Sequence, residues 1–246
     1  MSGHSKWHTT KRHKAVIDAK RGKIFSVLSK ELTLAAKAGG GNPDSNARLR
    51  TVLDKARAAN MPTDNVKRAI QKGTGEIPGV VYEEFAYEGY APGGVGLIIE
   101  VTTDNKNRIA AEVRQAFNEN GGNMAQAGAV SHGFQRKGQV LLSCGAIGED
   151  ALMELALAAG ADDVINHGDH FEILCPVSEY YALAKALQDK GLKPESSELA
   201  YVPNLQVPVT DAAVAKQVLE LIDALEALDD VKAVHGNHDI DPKLIV

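Results

Sequence analysis

The 246-residue chain has few of the residues that mark disulfide-stabilised, metal-bound or membrane-embedded proteins. Its two cysteines, Cys144 and Cys175, stand in no CxxC or metal-ligand spacing, so we expect reduced thiols that pack as small buried hydrophobes. No apolar run approaches the roughly 18 residues of a membrane helix, which excludes a membrane-spanning segment. Hydrophobic residues make up 44% and charged residues 24% of the chain, which indicates a folded globular protein of about one to three domains.

The chain also lacks the short motifs of common enzymes. It has no P-loop, no dinucleotide fingerprint after a strand, no nucleophile elbow, no HExxH and no kinase motif, so we expect neither catalysis nor a cofactor. Two histidine pairs at i, i+3 spacing, His167/His170 and His235/His238, have no third ligand at a fixed spacing. No metal site is therefore predicted.

The N-terminus has no apolar core of a secretory signal. It is basic and poor in acids, as a mitochondrial transit peptide would be, but it leads directly into the predicted fold. We therefore expect a cytoplasmic protein that does not contact membranes.

Charge is divided unevenly along the chain, although the whole protein carries a formal net charge of only −5. Residues 1–73 contain 16 basic and 5 acidic residues, a net of +11, whereas residues 74–246 contain 11 basic and 27 acidic residues, a net of −16. Such segregation is typical of a nucleic-acid-binding head on an acidic body. The alternative is a basic helical face that only keeps the chain soluble or docks on its own acidic half.

The basic residues of the head fall in an N-terminal arm and in three predicted helices. Residues 1–23 have weak apolar periodicity and are predicted to form a mobile basic arm, in which Trp7 either stacks on an unpaired base or anchors the arm. Apolar spacing predicts one helix from residue 24 that stops at the glycines of 39–41, a second after the turn at 42–45, and a third from Pro62 to Gly73. The candidate nucleic-acid-binding residues are Lys6, Trp7, Lys11, Arg12, Lys14, Lys20, Arg21, Lys23, Arg48, Arg50, Lys55, Arg57, Lys67, Arg68 and Lys72.

Helical geometry places the basic residues beside the apolar stripes rather than within them. Arg48 and Lys55 fall on one flank of the second helix, and Arg50 and Arg57 fall on the other. We therefore predict that charge reversal at Arg48, Arg50, Arg57 or Lys67 weakens nucleic-acid binding without unfolding the bundle. A helix-turn-helix is not expected, because the connection at residues 39–44 is long.

After the linker at residues 73–79 the pattern changes to strands and helices. Strands are predicted at 80–88, 95–103 and 125–132, with a helix at 105–120. The next block reads as βαββαβ, the ferredoxin-like order, with strands at 139–143, 164–167, 171–175 and 198–202 and helices at 149–159 and 179–190. A final βαβ segment, with strands at 205–209 and 231–234 around a helix at 211–228, is predicted to complete the sheet that begins at residue 80.

This order predicts an α+β multidomain fold, in which a basic N-terminal helical bundle precedes two α/β-sandwich (ferredoxin-like) domains, the third inserted in the second. The predicted boundaries are 1–75 for the bundle, 79–133 plus 204–246 for the discontinuous domain, and 134–203 for the insertion. The βαββαβ block lacks the basic, aromatic-rich pattern of an RNA-recognition sheet, so we assign it to structure or to protein contact.

Long segments distributed along the chain resemble one known family. The matching segments are MSGHSKW (1–7), AKRGKIF (19–25), AAKAGGGNPDSNARLR (35–50), ANMPTDNVKRAIQKGTGE (59–76), YEGYAPGGVGLIIEVTTDNKNR (87–108) and AAEVRQAFNENGGN (110–123). On these motifs the sequence resembles the YebC/PmpR family, whose mitochondrial relatives are translational activators. The resemblance implies the same three domains, with the third inserted into the second.

The resemblance carries two functional expectations, both of which involve nucleic acid. Members are customarily described as DNA-binding transcriptional regulators, and a second view treats them as ribosome-associated factors that assist translation, including through proline-rich stretches. The expected partners are therefore DNA or ribosomal RNA, with ribosomal proteins as further candidates in the second case. The absence of a clear helix-turn-helix weighs against sequence-specific DNA readout, and the segregated charge suits the ribosomal alternative slightly better.

Overall fold

The computed structural model describes residues 21–244, which form a mixed α and β structure. The α-helices of this part of the chain are α1 (Arg21–Gly39), α2 (Ala47–Ala58), α3 (Thr63–Thr74), α4 (Lys106–Glu119), α5 (Glu149–Ala158), α6 (Tyr180–Asp189) and α7 (Ala212–Ala227). Its strands are β1 (Glu83–Ala91), β2 (Val95–Thr103), β3 (Asn123–Ala125), β4 (Phe134–Ser143), β5 (Asp163–Asn166), β6 (His170–Cys175), β7 (Ser196–Pro203), β8 (Val207–Val209), β9 (Val231–Gly236) and β10 (His238–Ile240).

Helices α1, α2 and α3 form a bundle, here called the head, in which α1 packs against both of the others. Its core contains Leu28, Leu32 and Leu49, which recur at the helical spacing that the sequence predicts. Asn46 caps α2 by accepting the backbone N–H of Leu49 at 3.0 Å, and its amide donates to carbonyls at the end of α1. The three predicted helices of the head are present.

Helix α3 passes through Gly73 and ends one residue later, at Thr74. Gly73 is a contact residue rather than a helix stop, because a Cβ there would lie 2.3 Å from the carbonyl oxygen of Thr33 on α1. The glycine lets α3 approach α1 closely, and the Thr33 hydroxyl donates to the carbonyl of Ala69 at 3.1 Å. The turn that ends α3 uses Gly75 instead, which has a left-handed φ of 79°.

The first sheet has the order β3-β1-β2-β9, and each neighbouring pair is antiparallel. Helices α4 and α7 cover one face, where Leu97, Ile99 and Val101 of β2 pack against Phe117 and Leu221. The opposite face of β2 is also covered, because Ile98 packs with Val130 and Phe134 between the two sheets. This covering explains why β2 reads as an almost continuous apolar run rather than as an alternating one.

The second sheet has the order β5-β6-β4-β7, again with antiparallel neighbours. Its elements follow one another as βαββαβ, as the sequence predicts. Helices α5 and α6 pack on one face through Leu152, Leu183 and Leu187. Cys175 is buried in this core, and burial together with nearby carboxylates raises the pKa of its thiol to about 11. Both cysteines are free thiols, but only Cys175 is buried as predicted, whereas Cys144 is half-buried.

Two predicted strands, at residues 80–88 and 125–132, differ from the structure. The strand placed at residues 80–88 begins at Glu83 and extends to Ala91, where it pairs with β2 along its whole length. The strand placed at 125–132 is wrong beyond Ala125, because the backbone N–H groups of Gly128, Val130 and Ser131 donate to the buried carboxylate of Glu88. Those residues form a turn instead, since their donors are engaged by one side chain and not by a neighbouring strand.

The predicted C-terminal βαβ segment completes the first sheet with one strand only. Strand β9 pairs with β2, whereas β8 pairs in parallel with β10, which was not predicted. Pro208 has no N–H to donate, which suits β8 to a short two-stranded ladder rather than to the centre of a sheet. Helix α1 already begins at Arg21, so the last three residues of the predicted arm are helical, and residues 1–20 lie outside the described residues.

Candidate nucleic-acid interface

The structure divides the predicted nucleic-acid-binding residues into three groups. Lys6, Trp7, Lys11, Arg12, Lys14 and Lys20 lie outside the described residues. Arg21 is the first residue of α1. The other predicted residues lie on α1, α2 and α3, and their surroundings differ between the helices.

Basic residues of α1 and the start of α2 bind other parts of the same chain. Lys23 donates to the carbonyls of Glu226 and Leu228, the second at 2.6 Å, and so places its positive charge at the C-terminal end of α7. Arg48 donates to both carboxylate oxygens of Glu84, at 2.8 and 3.0 Å. These two residues join the head to the rest of the protein.

Arg50 has a local role at the entry to α2. Its guanidinium donates to the carbonyl of Pro43 at 3.0 and 3.2 Å and to the carbonyl of Asp44 at 3.0 Å. The side chain therefore fixes the turn that precedes the helix. A reversal of charge here removes these hydrogen bonds, so we now expect it to alter the fold of the turn as well as the surface charge.

The C-terminal half of α2 is more open to solvent. The Arg57 side chain is 76% exposed, with one ion pair of 2.8 Å to Asp54 three residues earlier. Exposed pairs of this kind hold a side chain weakly, so Arg57 remains accessible to a ligand. Lys55 is half-buried and lines the cleft between the head and the sheets.

Helix α3 carries the basic residues that face outward. Ala69 is buried in the head, and Val66 and Ile70 pack beside it. Lys67, Arg68 and Lys72 fall on the opposite side of the helix by the 100° rotation per residue. Lys67 and Arg68 are exposed and Lys72 is half-buried, and none of the three makes a salt bridge within residues 21–244. We call Lys67, Arg68 and Lys72 the α3 basic face.

The connection between α2 and α3 is short. It comprises the four residues 59–62, and Asn60 adopts a left-handed conformation with φ of 55°. Four residues with one left-handed position match the length and chemistry of a helix-turn-helix connection. The long connection that counts against such a motif lies between α1 and α2, whereas the short one lies between α2 and α3.

A buried charge network that the sequence did not indicate joins the head to the first sheet. Lys30 of α1 donates to Asp230 Oδ1 at 2.5 Å and to the carbonyl of Asp229 at 2.9 Å. Asp230 Oδ2 also accepts from Thr103 and Arg108, each at 2.6 Å. Burial would raise the pKa of Asp230, but these three donors hold it below its ordinary value.

A second ion pair lies beside this network, where Lys232 of β9 meets Glu31 of α1 at 3.0 Å. Part of the basic head therefore docks on the acidic half of the chain, which is the alternative that the charge pattern left open. The only available signal in the sequence was a charged pair, Lys30–Glu31, placed between the core residues Leu28 and Leu32.

A cleft of about 920 Å³ separates the head from the two sheets. Its polar lining carries more acidic than basic side chains. The acidic residues are Glu31, Glu84, Glu100, Glu172, Glu198, Asp223 and Glu226, and the basic residues are Lys23, Arg48, Lys55, Arg136 and Lys232. Such a lining repels phosphates, so the outer surface of the head suits a nucleic acid better than the cleft does.

The histidine pairs make structural contacts in both sheets. His167 and His170 stack with ring centroids 4.7 Å apart, and His167 Nε2 lies 3.0 Å from Glu172. His235 Nε2 lies 3.2 Å from Glu100 at the boundary between the sheets. Among residues 21–244 no group of three or more His, Cys, Asp or Glu side chains is arranged to hold a metal ion. No helix in the same part of the chain is long and apolar enough to cross a membrane.

Comparison with known proteins identifies the family. A family model described as the TACO1/YebC protein N-terminal domain matches residues 5–76, and one described as the TACO1/YebC second and third domain matches residues 82–238. The chain belongs to the TACO1/YebC family. The resemblance read from the sequence motifs is thereby confirmed, and the two matches together cover almost the whole chain.

TACO1/YebC relatives match over nearly their full lengths. A protein of Opitutus terrae is 56% identical over 100% of this chain and 99% of its own, and one of Desulfotalea psychrophila is 49% identical over 100% and 98%. Both are named "Probable transcriptional regulatory protein". The crystal structure of a conserved hypothetical protein from Aquifex aeolicus is 42% identical, covers 92% of this chain and 93% of its own, and has a TM-score of 0.83.

Proposed function

We propose that this protein is a nucleic-acid-binding regulator of gene expression, and specifically a DNA-binding transcriptional regulator of the YebC/PmpR type. The observation that carries the proposal is the α3 basic face, in which Lys67 and Arg68 are exposed and Lys72 is half-buried, on a helix whose other side packs in the core of the head. Phosphate neutralisation by Lys and Arg supplies most sequence-independent affinity for nucleic acids. The names of the family relatives agree with a regulatory role.

Duplex DNA is the proposed ligand because of the short connection between α2 and α3. A helix that follows a turn of this length is the one that enters the major groove in helix-turn-helix proteins. The outward side of α3 combines the basic face with Asn65 and Gln71, whose amides can contact base edges. Arg57, at the end of α2, then meets the adjacent phosphates.

An RNA- or ribosome-associated translation factor, which assists elongation at proline-rich stretches, is the second candidate. The segregated charge favours it, because a ribosome offers RNA phosphates to the basic head and basic proteins to the acidic remainder of the chain, residues 74–246, here called the body. In this case the predicted arm residues enter ribosomal RNA and the acidic body approaches ribosomal proteins.

The α3 basic face is tested by replacing its three cations together. We expect K67Q/R68Q/K72Q to lower the affinity for a 25-base-pair duplex at least about tenfold, because phosphate contacts are lost while the packed side of α3 is unchanged. Fluorescence anisotropy measures the affinity, and the midpoint of thermal unfolding verifies the fold. The matched control is K190Q/K193Q/K216Q, which removes three exposed cations from the body. Equal losses in the two variants contradict the proposal.

Salt dependence measures how many phosphates are contacted. If the head contacts about six phosphates, the log-log slope of affinity against salt is about −5 for duplex DNA and about −4 for a single strand. The slope of K67Q/R68Q/K72Q should be shallower by about 3 on duplex DNA, since each lost contact releases one fewer counterion. A wild-type slope near zero contradicts nucleic-acid binding by the head.

Crosslinking in growing cells separates the two candidates. Ultraviolet irradiation followed by recovery and sequencing of both attached DNA and attached RNA gives discrete promoter peaks for a transcriptional regulator. Enrichment of one ribosomal RNA region, lost when residues 1–23 are removed, instead supports the translation factor and contradicts the DNA proposal.

We also propose that the chain divides into the three units predicted from its sequence, 1–75, 79–133 with 204–246, and 134–203. The sheet membership supports this division, because the first sheet takes strands from both sides of the second in sequence. Expression of residues 134–203 alone tests it: a cooperative thermal transition is expected, and an unfolded fragment contradicts an independently folding insertion.

A further inference from the structure

The second sheet and its helices contain a long segment without any basic residue. From residue 138 to residue 184 there is no Lys or Arg, whereas eight acidic residues occur: Glu149, Asp150, Glu154, Asp162, Asp163, Asp169, Glu172 and Glu179. A segment with this composition attracts cations and repels nucleic acid. The head, which is basic, therefore has an acidic counterpart elsewhere on the same chain.

Helix α5, within this segment, turns apolar side chains to solvent. Met153 is 37% exposed and Leu157 is 54% exposed, and their i, i+4 spacing places them side by side on the outer surface. Val177 is also exposed, at 40%, and Glu179, two residues later, lies close to Gly160 just after α5, where a Cβ on the glycine would be 2.8 Å from the Glu179 side chain. The inner side of α5 is occupied by Leu152 and other core residues.

Carboxylates border this apolar pair on both sides. By helical rotation Asp150 and Glu154 fall on one side of Met153 and Leu157, and Glu149 falls on the other. All three carboxylates are exposed. An apolar pair bordered by charges of one sign is typical of an interaction surface, since the apolar part supplies affinity and the charged border selects the partner.

We propose that the outer face of α5 docks a basic amphipathic segment of another protein. Apolar side chains of the partner cover Met153 and Leu157, and Lys or Arg residues of the partner pair with Glu149, Asp150 and Glu154. Charge complementarity selects this occupant, because a nucleic acid or a second copy of the same face brings like charges together. The surface is separate from the α3 basic face, so this inference goes beyond nucleic-acid binding.

Site-specific photocrosslinking in cells tests the proposal with the full-length chain. A benzophenone amino acid replaces Met153, which keeps an apolar group at the surface, and in a control it replaces the more exposed Val81 in the head-to-sheet linker. The crosslinked partner peptide is sequenced by mass spectrometry. We expect a partner segment rich in Lys and Arg around apolar residues from position 153 and not from position 81.

The charge requirement is tested in the same crosslinking strain. D150K/E154K should abolish the crosslink, whereas the matched reversal E119K/E220K, at exposed acids of α4 and α7, should leave it unchanged. A synthetic copy of the crosslinked peptide is then titrated by fluorescence anisotropy, and M153S/L157S should weaken binding at least about tenfold because two apolar anchors are lost. Thermal unfolding of each variant verifies that the second sheet is intact.

Four results overturn the proposal: equal crosslinking from positions 153 and 81, a crosslink to nucleic acid, a crosslink to a second copy of the chain, or a partner segment without basic residues. The test is independent of the proposed binding of DNA. Affinity of M153S/L157S for duplex DNA should equal that of the wild type, so that failure of the docking surface and failure of the nucleic-acid proposal give different results.

Discussion

The basic residues of α1 and those of α3 have the same chemistry but different neighbours. Lys23 and Lys30 of α1 bind carbonyl groups and a carboxylate of the body, whereas the α3 basic face makes no salt bridge within residues 21–244. A count of charges along the head treats the two helices alike. A basic patch is therefore a candidate ligand surface only where its cations are not already bound to other groups of the same chain.

Breaking the buried connection of α1 should give the largest effect. We expect D230N to lower the free energy of unfolding by about 3 kcal/mol or more, because the buried ammonium of Lys30 loses its charged partner, while Arg108, which is 46% exposed, loses one of its ion pairs. Urea denaturation measures the change. The control D229N alters the adjacent exposed carboxylate and keeps the backbone carbonyl that Lys30 contacts, so its cost should be below about 0.5 kcal/mol. Equal costs would show that α1 is not held by this network.

Acid pH should remove the stability contributed by a second buried carboxylate, that of Glu88. This residue fixes the turn at residues 128–131, which lies outside the head. Burial would raise the pKa of Glu88, but three backbone N–H donors lower it below its ordinary value of 4.5. The unfolded chain therefore takes up this proton first as the pH falls, so stability from Glu88 is present above about pH 4.5 and is lost below it.

The variant E88Q should accordingly cost about 2 kcal/mol at pH 7, and the cost should shrink toward pH 3. Thermal unfolding from pH 7 to pH 3, with hydrogen exchange of the 128–131 amides, measures both effects. A cost that stays constant with pH contradicts the charge-based explanation. Nucleic-acid affinity at pH 7 should not change, because Glu88 lies in the first sheet.

Arg50 of α2 and Lys67 of α3 allow a direct test of the difference between cations that bind within the fold and cations that face solvent. R50Q should lower stability by about 1 kcal/mol, since three hydrogen bonds to the turn carbonyls are lost, with little direct effect on affinity. K67Q should leave stability within about 0.5 kcal/mol and make the salt slope shallower by about 1. Identical behaviour of the two variants in urea denaturation and in DNA titration would contradict the claim that Arg50 stabilises the fold whereas Lys67 binds nucleic acid.

The smallest effect is expected at the exposed connection between head and sheet. Arg48 and Glu84 are each about one-third exposed, so their ion pair is screened by water, and E84Q should cost about 0.5 kcal/mol. The cost should disappear in 1 M NaCl, whereas the cost of D230N should persist because its site is buried. A large, salt-resistant effect of E84Q would place the main attachment of the head at α2.

Much of the fold follows from local patterns in the sequence. The helices of the head, the helix α4, and the βαββαβ order of the second sheet follow from apolar periodicity interrupted by glycine and proline. Sequence reasoning failed where a distant group decides the local structure. Residues 126–132 are predicted as part of a strand, but Glu88 engages the backbone donors of Gly128 and Val130 from 40 residues or more away in the chain.

The candidate site was predicted in outline only. The sequence placed Lys23 in the basic arm and Arg48 and Lys67 on predicted helices, and it treated all three alike as candidate nucleic-acid-binding cations. Nothing in the sequence indicated that Lys23 contacts the C-terminal end of α7 or that Arg48 pairs with Glu84, because those contacts join residues far apart in the chain. The short connection between α2 and α3 is visible in the sequence, but the prediction that no helix-turn-helix is present rested on the longer connection between α1 and α2.

The family, the types and order of most elements, and the segregation of charge between head and body all follow from the amino-acid sequence, since they depend on composition and short-range periodicity. Which cations remain exposed at the surface depends on tertiary packing. Ion pairs such as Lys30–Asp230 join residues 200 positions apart, and such pairing depends on how the helices pack rather than on any local pattern. The α3 basic face is therefore a property of the folded chain.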